Sequence, residues 1–180
     1  LNTSSSMGPD GIHNQFLKKI PTSFLEKILK FFNKCVVERC FPTDLKRAKI
    51  TMIPKKDKNQ NDPANYRPIS VTSCLGKLFE RLIAKRLYDF LETKNLITKY
   101  QSGFRKNRSC QDNLIFLTQK IAETFNRKKK MVSIFFDIHK AYDKVWHDGL
   151  IYKMFKNDVP FYLVQWTKSF LNNRTFQVSV

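Results

Sequence analysis

Apolar residues recur three and four apart at Phe24, Leu25, Ile28, Leu29, Phe32 and Val36. That spacing predicts an amphipathic helix that serves the core. A capping box at Ser23-Phe24-Leu25-Glu26 opens it, and Pro42 requires it to end earlier. Arg47 to Ile53 alternates as a strand does. Residues 54–68 are polar, rich in Asn and Asp and broken by Pro54, Pro63 and Pro68, so they read as a hairpin tip or long loop. A second stripe, Leu75, Leu78, Phe79, Leu82, Ile83, Leu87, Phe90 and Leu91, predicts the clearest helix, with Ser73 as its cap. Ser109 starts another, carrying Leu114, Leu117, Ile121 and Phe125. Met131 to Phe136 then has the length and the Val, Ile and Phe content of a buried strand, ending at Asp137. Leu150, Ile151, Met154 and Phe155 suggest a short helix. Pro160 suits the first turn of the next, which Asn172-Asn173 stops. Arg174 to Val180 alternates again, with Phe176, Val178 and Val180 on one face. The strand before Asp137 and this last strand are expected to lie side by side. Helices and strands mix without an internal repeat, which predicts an α+β fold.

Charge changes the picture more than composition does. The 180 residues are 42% hydrophobic and 13% aromatic, which excludes a disordered composition. Lys and Arg number 33 against 15 Asp and Glu, for a net charge of +18. The cations gather at Lys46 to Lys49, Lys55 to Lys58, Arg105 to Arg108 and Arg127 to Lys130, so the expected partner is a polyanion, first of all a nucleic acid. Cys35, Cys40, Cys74 and Cys110 form no C-x-x-C pair and have no His at ligand spacing, which argues against zinc. They read as buried or half-buried thiols of an intracellular, reducing compartment. His13, His139 and His147 have no partner at a catalytic spacing. No run of about 18 apolar residues is present to span a membrane, and no signal peptide opens the chain. Residue 1 is Leu and the last residues break off within a strand pattern, so both ends are expected to be truncated.

The chemistry centres on Asp137. A carboxylate ending a buried strand is costly unless it is paired or binds a cation. Tyr142 and Asp143 follow closely. From spacing alone, a strand end whose acids cap the next helix remains open beside a metal site.

F-D-I-H-K-A-Y-D, residues 136–143, resembles the first palm motif of reverse transcriptases in the form found in non-LTR retrotransposons. Four more segments match that family in its order: G-P-D-G-I from Gly8, with Met7 where Pro is usual; I-P-K from Ile53; Y-R-P-I-S from Tyr66; and Q-S-G-F-R from Gln101. Each is weak alone, but the ordered set is specific and extends over essentially the whole chain. The resemblance implies an α+β right-hand polymerase, with fingers over residues 1–130 and the first part of the palm over 131–180. It implies that Asp137 is the first metal-binding aspartate, with the Ile138 carbonyl beside it. Tyr142 would be the aromatic gate beneath the sugar of the incoming nucleotide. Lys55 and Arg67, meeting across a hairpin, would face its triphosphate, where a point charge and a planar fork both suit phosphate oxygens. Gln101, Phe104 and Arg105 would lie near the template strand.

The activity implied is RNA-directed DNA synthesis with two Mg²⁺ ions on an RNA template, a DNA primer and a deoxynucleoside triphosphate (dNTP). The location implied is the nucleus or a cytoplasmic ribonucleoprotein. The family's paired aspartates are missing, because no Asp-Asp pair occurs in the sequence. Asp143 is too near Asp137 to replace them and reads as an anchor or helix cap. These 180 residues alone are therefore expected not to polymerise. A non-catalytic nucleic-acid-binding remnant is the rival reading. An intron-type or telomere-type polymerase is a further one, against which K-A-Y-D and Y-R-P-I-S argue.

Overall fold

A computed structural model describes residues 1–57 and 59–179. Lys58 of the second cation group and Val180 of the last strand face lie outside the described residues. The chain forms two compact units: residues 1–89 with 146–180, and residues 90–145.

The first unit is built on a three-stranded mixed sheet. Strand β1 (Arg47–Pro54) lies between β2 (Tyr66–Thr72), antiparallel to it, and β3 (Thr175–Ser179), parallel to it. The β1–β2 hairpin runs from Ala48 opposite Thr72 to Pro54 opposite Tyr66. Pro68 lies within β2 opposite Met52. A proline without an amide hydrogen is tolerated there because β2 is an edge strand. The polar stretch is thus shorter than its composition suggests: Tyr66 already belongs to the strand. A parallel neighbour needs a long crossover, and β3 returns to β1 from 120 residues away, Ala48 pairing with Phe176 and Ile50 with Val178.

The expectation that β3 lies beside a strand at Met131 to Phe136 is overturned. Residues 131–138 adopt no regular structure. Val132, Ile134, Phe135 and Phe136 are all exposed, Phe136 to 90%. An apolar run has strand propensity, but a strand exists only when a neighbour completes its hydrogen bonds, and among the described residues no strand pairs with this run.

Helices α1 (Asn14–Lys19), α2 (Thr22–Val37), α5 (His147–Lys156) and α6 (Phe161–Leu171) belong to the first unit, and α3 (Cys74–Thr93) runs out of it. Their core is aromatic. Phe79 of α3 stacks on Phe32 of α2, with ring centroids 4.4 Å apart and planes at 5°, and meets the edge of Trp166 of α6 at 5.2 Å. Phe41, from the segment entering the sheet, meets Trp166 and Phe170 edge-on at 5.4 and 5.2 Å. Its amide donates to Ser169 Oγ. Such offset and edge geometries suit the ring quadrupoles. The core stripe of α2 is narrower than its periodicity implies: Phe32 and Cys35 are buried, while Phe24, Leu25 and Leu29 are exposed. No capping box forms at Ser23, because the helix starts two residues earlier than such a box implies, at Thr22, with Pro21 as its cap.

Two local signals behave as the sequence implies. Ser73 Oγ accepts from the Gly76 amide and caps α3. Gly8 and Gly11 close a turn through Gly11 N–H to Gly8 O at 3.1 Å, with Gly11 at φ +68°. Gly8 is required for a second reason. A Cβ there would lie 2.6 Å from both Ser73 N and Cα, because the opening loop lies directly on the β2–α3 junction. Cys74 donates weakly to Ser6 O from the same junction.

Lys46, the first of the grouped cations, is not presented to a polyanion. It is buried, and its Nζ donates to the Asn172 carbonyl at 3.0 Å, at the C-terminal end of α6. A cation is favoured at that end. Burial, and then the Arg174 charge, lower its pKa from the ordinary lysine value.

The cysteines differ among themselves: Cys35 and Cys74 are buried, Cys40 is intermediate and Cys110 is exposed. Burial, with the neighbouring Cys40, raises the Cys35 thiol to about 11.

Two predictions follow from this packing. Gly8→Ala lowers the urea midpoint, costing about 1–3 kcal/mol through overpacking, whereas Gly103→Ala, whose Cβ meets nothing within 4 Å, leaves it nearly unchanged. At pH 8, iodoacetamide modifies Cys110 rapidly and Cys35 only after unfolding. Because the Cys35 pKa is raised on folding, its contribution to stability is complete below about pH 9 and declines as the pH rises toward 11.

Candidate functional site

The β1–β2 hairpin carries the first pair of expected site residues. Arg67 stands opposite Ile53, and the Lys55 amide extends the ladder by donating to Asn65 O at 2.8 Å. Lys55 and Arg67 therefore stand on facing sides of one hairpin, two residues out of direct register. Arg67 is exposed, while Lys55 is half-buried and its Nζ donates to the Ala64 carbonyl at 2.8 Å. The tip is ordered by its own side chains. Asp62 caps a single helical turn at Pro63–Asn65, and the Tyr66 hydroxyl donates to Gln60 O. A short basic hairpin with a folded tip can offer one flexible and one planar cation to an anion.

The second unit holds the other expected residues. Around the Q-S-G-F-R segment the chain forms a tight loop between α3 and α4 (Cys110–Asn126). Arg105 Nε and Nη2 donate to the two Glu92 carboxylate oxygens at 2.8 and 2.6 Å, and Nη1 donates to Thr98 O. The pair is mostly shielded, with side chains 14% and 27% exposed. Two parallel charge-assisted bonds of this kind fix geometry as well as adding energy. Arg105, expected at a template phosphate, is here the clamp of its loop. Gln101 is exposed, its Nε2 donating to Gly103 O. Ser102 is buried and donates to Asn113 Oδ1. From this frame Phe104 projects, 90% exposed and at φ +61°. A bulky residue is rarely left-handed, and holding one there costs about 1–3 kcal/mol. The aromatic face is displayed by a constrained backbone.

Asp137, Ile138 and Tyr142 lie on an exposed irregular stretch, Ile138 71% and Tyr142 78% exposed. Asp143 sits in a turn and caps no helix, since Trp146 occupies the N-cap of α5. Among the described residues no group of three His, Cys, Asp or Glu side chains converges to hold a metal ion. Asp137 with the Ile138 carbonyl therefore does not fit a two-ion site by itself: hard divalent cations need several oxygen ligands together. Ser109 and Asp112 form the capping box of α4, and the Ser109 amide holds the Asp112 carboxyl below its ordinary pKa. Sequence reasoning missed the Arg105–Glu92 clamp, because partners 13 residues apart on a helix end and a loop leave no periodic signal.

Residues 53–180 match the family model described as reverse transcriptase (RNA-dependent DNA polymerase). The chain belongs to the reverse transcriptase family. This reverse transcriptase sequence is 38% identical over its whole length to the RNA-directed DNA polymerase from mobile element jockey of Drosophila melanogaster, covering 20% of that protein. The jockey polymerase of Drosophila funebris is 34% identical over 99% of the chain, covering 19% of that protein. The Pol polyprotein from type-1 retrotransposable element R2 of Popillia japonica is 28% identical over 81% of the chain, again covering 19%. The chain spans about one fifth of the length of these curated relatives. The resemblance to non-LTR retrotransposon reverse transcriptases thus holds across all 180 residues. The family as a whole uses divalent metal ions, and it implies an RNA template and nucleotide substrates.

The clamp generates a prediction. Arg105→Ala and Glu92→Ala should each destabilise the second unit by about 1–3 kcal/mol, the range for charge-assisted hydrogen bonds. The double variant should cost clearly less than their sum, as read from denaturant curves and amide exchange around residues 98–105. Additive effects would remove the clamp from the account of this loop.

Proposed function

We propose that the chain is the fingers (residues 1–130) and first palm portion (131–180) of an RNA-directed DNA polymerase of a non-LTR retrotransposon. The observation that carries this reading is the ordered run of five motifs in a chain of the reverse transcriptase family. In the intact enzyme Asp137 holds Mg²⁺ with the Ile138 carbonyl, one part of a site for two ions, and Tyr142 lies beneath the sugar of the dNTP. Lys55 and Arg67 take its triphosphate. Gln101 and Phe104 contact an RNA template paired with a DNA primer, and Arg105 keeps their loop in place. The proposed location is intracellular, in the nucleus or a cytoplasmic ribonucleoprotein. It accords with four free thiols. No helix among the described residues is long and apolar enough to cross a membrane.

A second reading is a binding remnant without catalysis. The specific observation favouring it is the lack of converging acids among the described residues.

Primer extension on RNA separates the two. The 180 residues alone should not extend a primer, whereas a version continued through the family's paired aspartates should, losing activity on Asp137→Asn. An inactive extended form with every motif intact favours the remnant. In that extended enzyme Lys55→Ala and Arg67→Ala should act mainly through a raised KM for dNTP; unchanged kinetics would return both to a solvated hairpin. The 180-residue chain should also bind RNA with steep salt dependence. Engaging six phosphates costs about 10³ in affinity between about 50 and 200 mM salt. A flat dependence would remove nucleic acid from the proposal.

A further inference from the structure

The loop that carries the clamp also forms one wall of a pocket of about 370 Å³ in the second unit, closed on its other side by the first turns of α4. Two aromatic rings line it. Tyr100 and Phe116 lie with centroids 5.9 Å apart and planes at 56°, and both are exposed, to 65% and 49%. Cations surround them. Lys99 Nζ is 5.2 Å from the Tyr100 ring centroid, Lys120 Nζ is 5.8 Å from that of Phe116, and Arg108 also lines the pocket. The polar wall is the Ser102–Asn113 pair. Asn113 accepts the Ser102 hydroxyl through Oδ1, which leaves its NH₂ as a donor. Among the described residues Asp112 is the one acid lining the pocket, and it is committed to the Ser109 amide and hydroxyl.

Solvent-exposed aromatic faces beside cations and an amide match the parts of one nucleotide. A planar base stacks on a ring, its edge meets an amide, and its phosphate meets Lys or Arg. An acidic peptide would use the cations but would leave two rings without planar partners. We propose that this pocket is a subsite for one nucleotide of an unpaired strand. The base rests on Tyr100 and Phe116, and the phosphate is held by Lys99 and Arg108. The site is separate from the contacts assigned to Gln101 and Phe104. It rests on the nucleic-acid part of the reading above and needs no polymerase activity.

The test uses the 180-residue chain and a short end-labelled single-stranded RNA, compared with the same strand made abasic, by fluorescence anisotropy. Tyr100→Ala and Phe116→Ala should each weaken binding of the base-containing strand by about tenfold and leave abasic binding unchanged. Tyr100→Phe should bind within about twofold of the parent, since only the ring is required. Lys99→Ala with Arg108→Ala should reduce the salt slope by roughly one to two phosphates' worth. A Lys128→Ala/Lys129→Ala variant, altered outside the pocket, should weaken both strands alike. If Tyr100→Ala binds the base-containing strand as the parent does while salt-sensitive binding persists, the subsite is overturned and the nucleic-acid reading stands. Displacement by free adenosine monophosphate at a concentration comparable to the strand's Kd would overturn the assignment to a strand. Because both rings are exposed, the alanine variants should keep the parent's circular dichroism. A crosslink from 4-thiouridine RNA mapped to Tyr100 or Phe116 itself supports the subsite without any substitution, and one confined to residues 127–130 opposes it.

Discussion

Phe79 is held on two sides, stacked on Phe32 and met by the edge of Trp166, and most of the first unit depends on that contact. It fixes α3 against α2 and α6 at once. Phe41 joins the same cluster from the segment that leads into β1. The hairpin bearing Lys55 and Arg67 is thus carried on a strand whose entry is anchored in the aromatic core. Truncating a buried Phe typically costs about 3–5 kcal/mol. Here the loss would act on three helices and on the root of the sheet together. A rigid root matters for an anion site, because offered cations gain selectivity only when their backbone is fixed.

The longer helices were legible because burial at a period of about 3.6 leaves a mark in the sequence, whereas the six-residue α1 is too short to show that period and was missed. Ser73 and Ser109 announce α3 and α4, and both caps form. Asn172 ends α6 as a helix stop should. Strand β1 was legible from its alternation, while the prolines left a hairpin tip or a long loop open and β2 was not legible as a strand. What was not legible depends on a distant partner. Met131 to Phe136 has strand composition, yet no strand of the sheet pairs with it among the described residues, and composition cannot say whether a strand finds a neighbour. Phe41 shows no periodicity and still sits 2% exposed at the centre of the core. The site residues divide along the same line. That Lys55 and Arg67 share one hairpin follows from local strand pairing, whereas the engagement of Arg105 by Glu92 requires knowledge of the tertiary path.

The excess of positive charge is not spread over equivalent groups. Lys46 is spent inside the first unit on a helix-end carbonyl, and Arg174 lies over the Phe170 ring at 4.4 Å while donating to the Phe170 carbonyl. Arg39 covers Phe161 in the same manner. Lys34, Lys85 and Lys120 have carboxylate partners on their own helices, all of them exposed pairs, which add little stability. The cations that remain toward solvent on the hairpin and around the second unit's pocket are those whose charge a polyanion can use.

The division of the chain has a consequence for the order in which it can be assembled. Residues 90–145 interrupt the first unit, so a ribosome releases the interrupting unit complete while its host still lacks α5, α6 and β3. Until Trp166 and Phe170 emerge, Phe41 and Phe79 have no aromatic partners on that side, and the outer edge of β1 has no neighbour. Nascent chain beyond residue 46 therefore holds an open sheet edge and half an aromatic core through more than 100 residues of further synthesis. Loop-closure entropy rises only slowly with such a span, so the burden falls less on final stability than on the interval before closure, when unpaired edges and uncovered rings are most prone to wrong association.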